Sequence, residues 1–137
     1  MNKSKVLEVM TALSSDVRLE AYRQLVPRGA TGMVAGEIAA ALGLPLSNTS
    51  FHLKTLTLSG LVTVEQEGRY QRYRANIPVM LEVIAFLTEN CCANDPARCR
   101  QYRDLVPGVE ALLPALPTVR PPRTRARRVA ARRRPRP

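Results

Sequence analysis

The chain has 137 residues, 45% of them hydrophobic but only 4% aromatic and none tryptophan, which leaves room for one ordinary domain with a small aliphatic core. Its net charge of +10 is concentrated at one end: residues 120–137 hold nine arginines and no acid, while the remainder balances 12 basic residues against 11 acidic ones. The charge therefore gives no reason to place nucleic acid on the body of the chain. No run approaches the roughly 20 apolar residues of a membrane span, and the opening Met1-Asn-Lys-Ser-Lys, followed by a short apolar stretch that Glu8 interrupts, is not a signal peptide.

Residues 4–13 place apolar groups at 6, 9, 10 and 13, one face of a helix. Ser14-Ser15-Asp16 is a capping cluster, and Leu19, Tyr22, Leu25 and Val26 predict a second helix over 16–26 that Pro27 and Gly29 end. After a glycine-containing loop at 28–33, residues 34–42 carry Val34, Ile38, Ala41 and Leu42 on one face and stop at Gly43. Gly43-Leu-Pro-Leu46 reads as a short turn, with Ser47 as the N-cap of a helix over about 47–59 whose Thr49, Leu53 and Leu56 face inwards. Residues 62–65 and 70–75 alternate as strands around Glu67-Gly68-Arg69, a hairpin with a three- to five-residue tip. Helical spacing returns over 77–90 through Met80 or Leu81, Ile84 and Leu87, then a turn at Asn94-Asp95-Pro96, then a short helix over 98–105.

Helix, four-residue turn, helix and hairpin is the plan of a winged helix-turn-helix, a mainly α fold with a β-hairpin wing (α+β). A helix fits the major groove, and small polar residues near its N-terminal end can reach base edges. Ser47, Asn48, Ser50, His52 and Lys54 suit that task, with Arg69 at the hairpin tip and Gln71 beside it. The same spacing also occurs in ordinary helical domains, where such residues merely face water. The motifs Leu13-Ser-Ser-Asp-Val-Arg-Leu19, Glu37-Ile-Ala-Ala-Ala-Leu-Gly-Leu44, Ser47-Asn-Thr-Ser-Phe-His-Leu-Lys-Thr-Leu56, Ser59-Gly-Leu-Val62, and Glu67-Gly-Arg69 through Tyr73-Arg74 together resemble the ArsR/SmtB family of metal-responsive repressors. The resemblance implies a homodimer through the first and last helices, a recognition helix at 47–58, the hairpin as wing, and double-stranded operator DNA as partner. Leu46 departs from it, since relatives often carry a polar residue there.

All three cysteines fall in Cys91-Cys92-x6-Cys99, and an odd, clustered set is not a disulfide framework. A reduced, cytoplasmic setting follows. Thiolates are the natural ligands of soft ions, and three of them suit As(III), or alternatively Sb(III), while structural zinc wants a fourth ligand for which only Asp95 or Glu89 is near in sequence. Methylated trivalent arsenic, cadmium, lead and a thiol redox switch remain alternatives, and no organic cofactor is expected. Many arsenic repressors of the family carry Cys-Val-Cys before the recognition helix. Here that stretch is Met33-Val-Ala-Gly36, and the resemblance is instead to members with a cysteine pair and a third cysteine after the last helix.

Cys92-x5-Arg98 also satisfies a phosphatase-type pattern. It follows a helix, lacks glycine and includes Pro96, so catalysis is not expected. The domain is expected to span 1–108. Residues 109–137 are expected to form a disordered basic tail, either a salt-sensitive DNA adhesive or a solubilising extension.

Overall fold

The computed structural model describes residues 1–109, so the expectations for the arginine-rich tail lie outside the described residues beyond Val109. Contacts divide the chain into a unit of Met1–Glu89 and a second unit beginning at Asn90.

The first unit opens with α1 (Lys3–Leu13), started by Asn2, whose Oδ1 accepts from the Lys5 N–H at 2.9 Å. At its other end the Arg18 guanidinium donates to the carbonyls of Ala12 (2.5 Å) and Thr11 (3.4 Å), and Ser14 Oγ donates to Thr11 O at 2.7 Å. The Ser-Ser-Asp-Val-Arg motif is thus a joint: a residue of the second helix satisfies the orphan carbonyls of the first. That second helix, α2, spans Asp16–Leu25. Pro27 does not end the path at once, because a single 3-10 turn over Val26–Arg28 follows.

Where a loop is expected, Met33–Val34 forms a two-residue strand, β1. It leads directly into α3 (Ala35–Leu42), where Glu37 Oε2 accepts from the Val34 N–H at 2.9 Å. Gly43 turns left-handed (φ +64°), a conformation glycine takes without penalty. The next helix, α4, runs from Leu46 to Leu58. Its N-cap is Pro45, so Ser47 sits inside the first turn rather than capping it; proline's fixed φ already suits a helix start. β2 (Val62–Glu67) and β3 (Tyr70–Ala75) pair antiparallel with Glu67 opposite Tyr70, so the tip is two residues, Gly68-Arg69, shorter than expected. The sheet order is β1-β3-β2.

The core gathers Val6, Val9, Ala12, Ala21, Tyr22, Leu25, Met33, Ile38, Leu53, Leu56, Leu61, Val62, Tyr73 and Val83. α1 turns its expected face inward at Val6, Val9 and Leu13, with Ala12 beside them, but Met10 is exposed, as is Leu7. In α2, Tyr22 and Leu25 are buried with Ala21, while Leu19 faces out. In α5 (Ile77–Thr88), Val83 is buried and Val79 and Met80 pack beside it, while Leu81, Ile84 and Leu87 face out. α1 and α5 touch each other, and each carries a second apolar stripe.

In the second unit, a turn at 90–95 leads into α6 (Pro96–Asp104), with Asp95 as N-cap accepting from the Ala97 N–H at 3.0 Å. No described residue of this unit is buried.

Candidate nucleic-acid interface and cysteine cluster

α3 packs on α4 through Ile38 and the Leu53 and Leu56 side, with Thr49 fully buried and its hydroxyl donating to Pro45 O at 3.1 Å. At 3.6 residues per turn, burying 49, 53 and 56 turns the opposite face outward. Ser47, Asn48, Ser50 and Lys54 are exposed there. His52 lies on the flank: it is partly buried, and its Nδ1 is enclosed without a hydrogen-bond partner.

An open cleft of about 330 Å³ joins the helix to the wing, lined by Ser50, Lys54, Thr57, Leu58, Val64, Gln71 and Tyr73. Gln71 is held in it by the Tyr73 hydroxyl, which donates to Gln71 Oε1 at 2.9 Å. Burial pushes the Tyr73 phenol above its ordinary range.

The wing's arginines divide by role. Arg72 donates to Glu67 (2.8 Å) and Thr31 O (3.1 Å), and Arg74 to Glu65 (2.8 Å) and Ala30 O (2.6 Å). They tie β3 to the 28–33 loop and to β2, and the Glu67 hydrogen bond holds the Arg72 guanidinium above its ordinary range. Gly32 lies under that tie: its φ is +60°, and a Cβ there would meet Tyr73 O and Arg74 Cγ. Arg69 at the tip and Lys54 on α4 form no ion pair among the described residues. They are the cations left for phosphate, and Lys54 shares its cleft with Gln71. Phe51, off the buried face by helical phase but not among the expected DNA contacts, is 67% exposed on the outer face of α4. Its signal was helical phase, since residue 51 lies opposite the 49/53/56 face.

The three thiols lie in the second unit. Asp95 N–H donates to Cys92 O (2.8 Å) and Cys99 N–H to Asp95 O (3.1 Å), which steps Cys92, Asp95 and Cys99 along successive turns. Those bonds bring the Cys92 and Cys99 side chains close enough for each to feel the other. Partial burial pushes the Cys99 thiol up, its contact with Cys92 adds to that, and Arg103 opposes it. Cys91 is exposed, and Asn90, Ala93 and Asn94 beside it are left-handed (φ +59°, +48° and +62°). Among the described residues no three of His, Cys, Asp or Glu are gathered as a ligand group. Thiols are soft donors by chemistry, but among the described residues the three are not brought together: Cys92 and Cys99 are near each other and Cys91 is exposed. The Cys92-x5-Arg98 stretch runs through a turn into α6, with no strand before it.

Residues 13–65, from the end of α1 into β2, match a family described as a helix-turn-helix domain. The chain is similar to an ArsR-like transcriptional regulator from Rhodococcus sp. RHA1, at 26% identity and TM-score 0.56 over 75% of this chain and 93% of that one. It is also similar to a possible transcriptional regulatory protein (fragment 1–100) from Mycobacterium bovis, at 30% identity and TM-score 0.50 over 62% of this chain and 89% of that one. A third likeness, at 28% identity and TM-score 0.51 over 64% and 81%, is to a homodimeric winged helix-turn-helix DNA-binding domain from Mycobacterium bovis, described as a possible ArsR-family transcriptional regulator. No curated protein sequence matches significantly. No helix among the described residues is long and apolar enough to cross a membrane.

Proposed function

The chain belongs to the ArsR family of winged helix-turn-helix transcriptional regulators, and from that premise we propose that it is a homodimeric, cytoplasmic repressor whose operator DNA is released when arsenite reaches Cys91, Cys92 and Cys99. Dimerisation accounts for the second apolar stripes of α1 and α5, and the Mycobacterium bovis neighbour is itself homodimeric. Two copies present two α4 helices to a two-fold operator. Ser47, Asn48 and Ser50 approach bases, while Lys54, Arg69 and Gln71 fix the register.

The observation that carries the sensing half is the thiol cluster. Every cysteine of the chain lies within nine residues, and backbone bonds through Asp95 set Cys92 and Cys99 on successive turns near each other. Cys91 has to join those two. The turn that must rearrange follows α5 directly in the chain and holds three left-handed non-glycine residues. Such strain, of order 1 kcal/mol or more per residue outside asparagine, makes it a natural site for a ligand-set conformation. A coupling of about 1–3 kcal/mol between thiol occupancy and DNA binding lowers operator affinity some 5- to 150-fold.

The nearness of Cys92 and Cys99 also favours a second reading, a disulfide formed between them under peroxide. The test is fluorescence anisotropy on operator DNA selected from a random duplex pool, titrated in reducing buffer with arsenite, antimonite, methylated trivalent arsenic, cadmium and lead, and separately with peroxide. Release by arsenite at the lowest concentration supports the reading. Release by peroxide alone replaces it with the redox one, and release by cadmium or lead alone moves the inducer to a divalent ion.

A further inference from the structure

We propose that Phe51 is a base-reading side chain, packing on the 5-methyl group of a thymine in each operator half-site. This rests on α4 being the helix that enters the major groove.

Phe51 is 67% exposed at the middle of α4. A lone exposed apolar residue is ordinary, but the position of this one is not. Thr49, Leu53 and Leu56 are buried on the opposite side of the helix, which aims residue 51 outward along the face that carries Ser47 one turn before it and Lys54 one turn after. Ser47 is small, so it allows the backbone to come close to DNA and leaves the Phe51 ring as the large apolar group on that face. The ring also has a fixed edge to lean on. It meets the half-buried His52 imidazole at 5.8 Å and 75°, and the enclosed Nδ1 of His52 shows that this imidazole is packed rather than free.

What such a ring can recognise follows from groove chemistry. In the major groove, guanine, cytosine and adenine present only donors and acceptors, which a phenyl group cannot satisfy. Thymine alone adds an apolar group, its C5-methyl. An aromatic wedge between base steps is a minor-groove device, which does not suit a helix lying in the major groove. The remaining fit is methyl against ring face. Lys54, which forms no ion pair among the described residues, supplies the charge complementarity that brings this face to DNA.

The experiment uses the full chain and an operator selected from a random duplex pool, with each thymine replaced in turn by deoxyuridine, which lacks only the methyl. Anisotropy in reducing buffer should find one thymine per half-site at which the loss weakens wild-type binding about four-fold, the equivalent of the ~0.8 kcal/mol of one buried CH₂ group. Replacing both half-site partners should weaken it roughly fifteen-fold. Phe51→Ala should bind the two DNAs equally, and Phe51→Leu should keep part of the discrimination. Wild-type indifference at every thymine, or sensitivity that survives in Phe51→Ala, overturns the proposal. Failure of the wild-type chain to bind any duplex instead overturns the DNA-binding reading, and this proposal with it.

Discussion

Residues 1–89 and 90–109 meet the same backbone problem in opposite ways. In the first stretch every left-handed position is a glycine: 29, 32, 43, 60 and 68. In the second, Asn90, Ala93 and Asn94 take left-handed conformations within five residues of one another, and only Gly108 has the residue type that does so freely. The first stretch holds every buried side chain among the described residues, and the second holds none. Local order in the first is paid for by a shared core. In the second it depends on Asp95 capping α6 and on a few turn hydrogen bonds. The difference is a division of labour in packing: a scaffold that keeps α4 and the wing in register, and a segment held locally rather than by a core.

The contrast is broken most severely from the core. Leu53→Ala, at a fully buried position, is expected to cost about 2–5 kcal/mol in urea unfolding, whereas a cost below 1 kcal/mol would mean that α4 is not anchored as described. Next comes the outer stripe of α5. Ile84→Asp should leave the fold intact by circular dichroism yet raise the dimer dissociation constant by roughly 150-fold or more, since a homodimer loses an apolar contact of about 1.5–3 kcal/mol from each copy; sedimentation equilibrium reads it. Gly32→Ala should destabilise by about 1–3 kcal/mol, because its Cβ meets backbone of β3, and thermal melting checks it. Leu105→Ala sets the floor. Leu105 is 72% exposed in the second stretch, so unfolding energies should stay within about 0.5 kcal/mol of the parent.

Much of this division was legible in the residues. The glycine and proline punctuation located the helices, and the 49/53/56 spacing identified the buried face of α4 before any coordinates. Where reading failed, the cause was tertiary. β1 is two residues long and exists only because Met33 and Val34 pair with Tyr73 and Arg72 across the sheet, which no local pattern announces. In α1 and α5 two apolar stripes share one helix, so periodicity alone could not say that Val83 goes in while Ile84 stays out. Helical phase already put Phe51 away from the buried face, but a phenyl ring carries no hydrogen-bonding group and so was not counted among the base contacts. Ser47 is a good capping residue by type, but Pro45 had already started the helix. At the cysteines, spacing identified the cluster, while the nearness of Cys92 to Cys99 and the exposure of Cys91 come with a left-handed turn over 90–94 that spacing does not announce.

The most direct test of the account is arsenite titration of the operator complex formed by a variant with Cys91, Cys92 and Cys99 all changed to Ser. None of the three is buried, so folding and apo operator affinity should match the parent. The account predicts that arsenite then leaves the complex intact at concentrations that release the wild-type protein. Release of the triple variant at the wild-type concentration would contradict it, because the switch would then lie outside the cysteine segment.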